Sequence, residues 1–258
     1  MITAGIDAGS RTLKAVIWNT DTGQVMSRDW MDQGVEQAAM ARQLFERCLQ
    51  KANLQAADIK AIIATGYGRD LLDFADTTLT EITCHAVGVR SQLPEVKTII
   101  EIGGQDSKLI RLGPDGGVRD FVMNDRCAAG TGSFLELAAR RLQTDLNGLG
   151  ELAQQCTEPV SINSTCAVFA ETEIIGLLAQ RHSPSAIAGG VLQSISRRIA
   201  AMAGRKVDTP IGLTGGVALV SGIRESLEQI FKQPIQVLSN PLFTGAQGAA
   251  ILAAKPMR

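Results

Sequence analysis

The sequence predicts an α/β fold built from two related halves with a cleft between them. Three observations predict it. Apolar runs of strand length alternate with helical-period segments from end to end. A strand, a Gly/Asp turn and a returning hairpin occur near residues 2–31 and again near 97–123, a loose internal duplication. A third glycine turn, Gly215-Gly216, follows the last strand-like run.

Taken in order, residues 2–7 are an apolar run ending on Asp7, and Ala8-Gly9-Ser10-Arg11-Thr12 makes a turn. Leu13 to Asn19 read as the returning strand, Asp21-Thr22-Gly23 as a hairpin connection, and 24–31 as a third strand. Val35, Ala38, Ala39, Ala41, Leu44, Phe45, Cys48 and Leu49 give helical spacing over 35–51, and Ile59 to Ala64 is a buried-strand pattern ending at Thr65-Gly66. The second unit starts at Lys97. It has a strand over 98–102, the turn Gly103-Gly104-Gln105-Asp106-Ser107, a strand over 108–112, a Gly113-Pro114-Asp115-Gly116-Gly117 turn and a strand over 118–123. Helices are predicted at about 131–143, 146–156, 167–180 and 185–203, where Gly189-Gly190 marks a close crossing or kink. A strand near 210–214 and helices near 222–232 and 244–254 finish the chain. The halves divide as 1–90 and 91–258, with the C-terminal helix a candidate addition to the first.

Composition narrows the function. With 25 basic against 26 acidic side chains, the net charge of −1 leaves no surplus of Lys and Arg for nucleic acid. A single Tyr and two Trp offer few platforms for base stacking. No apolar run reaches the ~18 residues a membrane span needs. The opening Met1-Ile2-Thr3-Ala4-Gly5-Ile6-Asp7 lacks a basic n-region, so the expectation is cytoplasmic, with no membrane or nucleic-acid partner. The five cysteines are then expected as reduced thiols, and none are spaced C-x-x-C. His85 and His182 are too few for a metal site or a Ser-His-Asp set and read as structural or surface residues.

Glycine turns after strands let backbone N–H groups come close to phosphate oxygens. Gly9, Gly103, Gly104, Gly215 and Gly216 supply three such turns, with Ser10, Arg11, Thr12 and Gln105 within them and Lys14 just beyond. Asp7 and Asp106 repel phosphate, so they suit holding Mg²⁺ through water or orienting the attacking water. The P-loop and dinucleotide signatures are missing. Asp7-Ala-Gly-Ser-Arg-Thr12, Ile102-Gly-Gly-Gln-Asp106 and Leu213-Thr-Gly-Gly216 resemble the two phosphate loops and adenosine motif of the actin, hexokinase and heat-shock ATPase superfamily. That resemblance implies two ribonuclease-H-like halves with ATP·Mg²⁺ held between them, Gly215 and Gly216 against the adenosine or its phosphates, and Gln247 near the adenine.

Two cysteines have distinctive surroundings. Cys127, in Asn124-Asp-Arg-Cys-Ala-Ala-Gly-Thr-Gly132, and Cys166, in Ser164-Thr-Cys-Ala-Val-Phe-Ala-Glu171, each precede an apolar-periodic helix. Cap-forming residues upstream predict both thiols at helix N-termini, where the dipole favours negative charge. The plain reading is two buried apolar thiols. The sharper one is half of a 4Fe–4S ligand set, completed when two chains meet on a twofold axis. Together with Ile102-Gly-Gly-Gln-Asp106, these segments resemble the activator ATPases (component A) of (R)-2-hydroxyacyl-CoA dehydratases over nearly the whole chain. The resemblance implies a homodimer with one shared 4Fe–4S cluster on Cys127 and Cys166. It also implies ATP-gated transfer of one electron, taken from a donor such as ferredoxin or flavodoxin, to a dehydratase-type iron–sulfur partner. Cys48, Cys84 and Cys156 match no ligand motif. Two other readings compete: a sugar or amino-sugar kinase of the same superfamily, which leaves Cys127 and Cys166 idle, and a redox-sensing module that holds nucleotide without turnover.

Overall fold

The computed structural model describes residues 1–163, 166–204 and 207–255. The chain opens with β1 (Ile2–Ala8), β2 (Thr12–Asn19), β3 (Gln24–Asp32), α1 (Gln37–Ala52), β4 (Ile59–Thr65), β5 (Thr77–Thr78) and α2 (Glu81–Arg90). It continues with β6 (Thr98–Ile102), β7 (Ser107–Leu112), β8 (Val118–Asn124), α3 (Gly132–Arg141), α4 (Leu146–Gln154), α5 (Ala167–Ala179) and α6 (Pro184–Ala203). It ends with β9 (Ile211–Thr214), α7 (Ile223–Phe231), β10 (Ile235–Val237) and α8 (Thr244–Leu252). Two compact units result: Met1–Glu95 with Leu112–Val118 and Leu242–Arg258, and Val96–Arg111 with Arg119–Pro241.

Each unit carries a five-stranded sheet, ordered β3-β2-β1-β4-β5 in the first and β8-β7-β6-β9-β10 in the second. The central strand pairs antiparallel with its hairpin partner (β1 with β2, β6 with β7) and parallel with the strand on its other side (β1 with β4, β6 with β9). The internal duplication is therefore one of topology and register as well as of turns. β1 and β6 are buried at almost every position, as central strands are.

In the first unit, Ala41, Leu44, Phe45, Cys48 and Leu49 form the buried stripe of α1, at the 3-4 spacing of an amphipathic helix. That stripe joins Ile6, Leu13 and Ile17 in one core, and Asn53 in the left-handed region ends the helix. α2 and α8 pack together and α8 lies on β1, an approach that requires glycine. A Cβ on Gly5 would lie 2.1 Å from the Ala246 carbonyl oxygen, one on Gly88 1.9 Å from that of Thr244, and one on Gly248 1.8 Å from that of Cys84. In the second unit, Phe134, Leu135, Ile187, Val191, Ile195 and Leu213 are fully buried in one core. α6 runs unbroken through Gly189-Gly190, whose missing side chains admit Cys156 Sγ and the Val160 carbonyl. The glycine pair is a close contact and not a kink.

The sequence pattern passed over α2, β5 and β10. α2 buries Ile82, Cys84, His85, Ala86, Gly88 and Val89, so its inner face is small and partly polar and gives little apolar periodicity. Gly248→Ala, against the Cys84 carbonyl, is expected to destabilise the protein by about 1–3 kcal/mol in urea denaturation. Gly176→Ala on α5, where a Cβ meets nothing within 4 Å, should be neutral or stabilising by up to about 1 kcal/mol.

Candidate functional site

Asp7 ends the buried run of β1 and stands opposite Lys14 in the antiparallel register, with Lys14 Nζ 3.3 Å from Asp7 Oδ2. Three glycines crowd this pair. A Cβ on Gly9 would lie 2.8 Å from Lys14 Nζ, one on Gly66 2.4 Å from Asp7 Oδ1, and one on Gly245 3.1 Å from Asp7 Oδ2. Gly66, at the end of β4, has φ +88°, a conformation that side chains other than glycine rarely adopt. Gly9, Ser10 and Thr12 are part-exposed beside the buried Asp7, and Arg11 is exposed. His85 is buried, with Nδ1 2.9 Å from Thr244 Oγ1 at the start of α8. Gln247 is buried and tied to α2, its amide donating to Ser91 Oγ at 2.8 Å.

The second unit repeats the construction. Glu101 stands opposite Lys108 in the β6–β7 register, and Lys108 Nζ donates to Glu101 Oε2 at 2.9 Å and to Asp106 Oδ2 at 2.5 Å. Gly215 at the end of β9 has φ +89°, and a Cβ there would lie 2.7 Å from Glu101 Oε1. A Cβ on Gly103 would meet Asp106 Oδ1 at 2.6 Å and Glu101 Oε1 at 3.2 Å. The counterpart of Asp7 by register is thus Glu101. Asp106 sits at the far end of the turn as a second partner of Lys108. Burial works against the charge on Lys108, but the Glu101 and Asp106 carboxylates more than reverse it and hold the amine well above the usual lysine range.

Sequence reasoning missed Glu101, Lys108 and Gly66 because each falls inside, or just past, what reads as ordinary strand. A signal was present. In both halves an acid is followed two positions later by glycine and seven positions later by lysine: Asp7, Gly9, Lys14 and Glu101, Gly103, Lys108.

The turn after β6 is built into the helix that follows it. Gly103 N–H closes the turn on the Asp106 carbonyl, while the Gly103 and Gly104 carbonyls accept from Gly132 N–H at 2.9 Å and Ser133 N–H at 2.8 Å. Ser133 Oγ also donates to the Gly104 carbonyl at 2.7 Å. Gln105 is exposed. Gly215 N–H bonds to the Pro241 carbonyl, and Gly216 is exposed at the start of a short 3-10 turn.

Cys127 lies four residues before Thr131, the cap of α3, and instead caps a 3-10 turn over Ala128–Gly130. The thiol expected at the N-terminus of the α-helix is thus separated from it by this turn. Asn124 closes the loop through its side chain, Nδ2 donating to the Cys127 carbonyl and Oδ1 accepting from its N–H. Gly130 leaves space for the Asn124 amide and the stem of Arg198. Cys166 does cap its helix, α5, directly, and the 3-10 turn after Cys127 packs against α5. Both thiols are half-buried, while Val168 and Phe169 just beyond Cys166 are exposed. Ser164 and Thr165 lie outside the described residues. Glu171 pairs with Arg141, and Glu173 accepts from the Asn163 N–H. Among the described residues no group of three or more His, Cys, Asp or Glu is placed to hold a metal ion.

Two sheets of the same order, each with a hairpin that carries an acid, a glycine turn and a lysine, form an actin-like fold, and the protein is an ATPase. More closely, the chain belongs to the BadF/BadG/BcrA/BcrD ATPase family, whose model matches residues 4–253. It is 41% identical over 254 residues to the activator of lactoyl-CoA dehydratase from Anaerotignum propionicum, covering 98% of this chain and 97% of that protein. It is similar to the solved activator of the 2-hydroxyisocaproyl-CoA dehydratase from Clostridium difficile with bound ADPNP. The TM-score is 0.93 at 37% identity, over 98% of this chain and 94% of that one. A ROK hexokinase from Thermus thermophilus shares the fold alone, with a TM-score of 0.54 and 15% identity over 98% of each chain. No helix among the described residues is long and apolar enough to cross a membrane.

The thiols separate by burial. Desolvation pushes Cys48 up to about 11 and Cys84 up to about 12, so neither forms appreciable thiolate near neutral pH. In metal-free native protein at about pH 8, iodoacetamide should alkylate Cys127 and Cys166 and spare Cys48 and Cys84 until the chain is unfolded, as read by peptide mass spectrometry.

Proposed function

We propose that this chain is an ATP-hydrolysing activator that passes one electron to a 2-hydroxyacyl-CoA dehydratase-type iron–sulfur partner. It works as a cytoplasmic homodimer whose two copies share one 4Fe–4S cluster. The observation that carries the reading is the bonding of Gly132 and Ser133 to the Gly103-Gly104 turn. It joins the loop that presents Cys127 to a turn suited to phosphate, so a change in the turn reaches the cysteine through a few covalent links.

The donor set fits half of a cubane. Cys127 and Cys166 are two half-buried thiols on packed elements, and a 4Fe–4S cluster takes four thiolates, which a second copy related by a twofold axis supplies. When bound, such a cluster supplies one-electron chemistry. The chain's own residues do the rest. The N–H groups of the Gly9 turn and of Gly104 and Gln105, with Ser10, Thr12 and Lys14, bind the phosphates of ATP. Gly215 and Gly216 lie against the nucleoside, and Gln247 braces the helix behind it. Asp7 and Asp106 hold Mg²⁺ through water or orient the attacking water. α3, whose first residues are bonded to the Gly103-Gly104 turn, and α5, which starts at Cys166, carry a movement of the turn to the two thiols. Hydrolysis then gates transfer to the partner, and a ferredoxin- or flavodoxin-like donor restores the reduced state.

Protein purified without oxygen should be brown and hold about four irons per dimer. Cys127→Ser or Cys166→Ser should lose that iron while ADP binding persists, and full iron content in either variant would reject the ligand assignment. Asp7→Ala and Asp106→Ala should lower ATP turnover on the order of a hundredfold with a much smaller change in ADP affinity. Unchanged turnover in steady-state assays would refute their role.

A further inference from the structure

The nucleotide-binding turns leave one buried imidazole of the first unit without a task. His85, on α2, is 6% exposed, and its Nδ1 lies 2.9 Å from Thr244 Oγ1 at the start of α8, a residue that is itself fully buried. The opposite edge of the ring borders the space that Gly245 provides by lacking a side chain. A Cβ there would lie 3.3 Å from both Cε1 and Nε2 of His85, and 3.1 Å from Asp7 Oδ2. A buried imidazole needs polar company on both nitrogens. Here a hydroxyl meets one, and a carboxylate stands across a glycine from the other.

Three features make the ring a support for the acid and not only a strut between helices. The helix crossing cannot relax away from it, because Gly88 and Gly248 hold α2 and α8 in backbone contact, with the Thr244 carbonyl oxygen 1.9 Å from where a Cβ of Gly88 would stand. The two oxygens of Asp7 are also divided. Oδ2 has Lys14 Nζ at 3.3 Å and the His85 edge across Gly245, whereas Oδ1 stands beside the Gly9 and Gly66 turns, 3.6 and 2.4 Å from their Cβ positions. Oδ2 is therefore the held oxygen, and Oδ1 is the one turned to the phosphate-binding backbone. The second half, finally, braces its own acid–lysine pair in another way, through Asp106 as a second partner of Lys108. The imidazole is the first half's separate solution.

We infer that His85 and Thr244 form a positioning pair for Asp7. Thr244 Oγ1 fixes the ring through Nδ1, and the Nε2 edge limits where the Asp7 carboxylate can settle, so that Oδ1 stays turned to the nucleotide turns. The inference rests on the role proposed for Asp7 in ATP hydrolysis and names what holds that residue. Both side chains act through Asp7 and not on the nucleotide itself. A carboxylate kept in one orientation spends less time in unproductive ones, which raises turnover with little effect on how tightly nucleotide binds.

The test uses the full chain, anaerobically purified, with kcat and KM for ATP and the affinity for ADP measured on the same samples. His85→Asn keeps a polar group near the Nδ1 position for Thr244 and removes the Nε2 edge. Its kcat should fall about tenfold, with KM and ADP affinity kept within about threefold. His85→Gln carries its amide to the Nε2 position and should recover most of that loss, which a merely structural role would not require. Thr244→Val keeps the shape and removes the hydroxyl, and should lower kcat comparably. The double variant of His85→Asn with Thr244→Val should lose no more than the larger single loss, because the two side chains act as one unit. Should His85→Asn fail to fold, Thr244→Val is read in its place, with the same fall in kcat expected. Native kcat in these variants, equal losses in the Asn and Gln forms, or losses that multiply in the double variant overturn this inference alone, provided that Asp7→Ala still lowers turnover. Native turnover in Asp7→Ala overturns the role of Asp7 beneath it.

Discussion

A carboxylate and a lysine facing each other across the first hairpin of each half constrain most of the structure around them. The antiparallel register decides that Asp7 meets Lys14 and Glu101 meets Lys108, since a slip of one residue would turn one partner to the opposite face. Both acids lie at the end of a buried strand, where an ionised group without a counter-charge would be costly. Each lysine supplies that charge and keeps one carboxylate oxygen still. The other oxygen is left beside backbone that carries no side chain.

Glycine serves this arrangement in two distinct ways. Gly66 and Gly215 end the parallel neighbours of the central strands with positive φ, and each leaves room beside an acid. Gly5, Gly88 and Gly248 instead let α8 and α2 approach the first sheet closely, which brings Thr244 and Gly245 beside Asp7 and His85. In the second unit the carbonyls of Gly103 and Gly104 take up the first N–H groups of α3. Those groups are therefore committed to holding the turn and are not left free to stabilise charge near Cys127.

The strand and helix order was legible because the core is apolar with plain periods. α1 and α3 to α6 stand where the helical spacing puts them, to within a few residues. α2 was not legible, because Cys84, His85, Ala86 and Gly88 make up most of its buried face between Ile82 and Val89 and carry little hydrophobic contrast. Cys166 could be placed at a helix start from the residues around it. Cys127 could not, because a 3-10 turn over Ala128–Gly130, packed at Gly130 against Asn124 and Arg198, comes between it and the helix.

The sequence by itself determined the α/β class, the duplication and the glycine turns. It also placed Cys127 and Cys166 in the segments that resemble dehydratase activators. These are local properties, carried by hydrophobic period and by residues with unusual backbone freedom. Only the tertiary structure decided that Glu101 is the counterpart of Asp7 by register, that Lys108 is shared between two acids, and that the Gly103-Gly104 turn is bonded to α3. Pairing across a sheet and burial of charge depend on which distant segments meet, and no single stretch of chain encodes that.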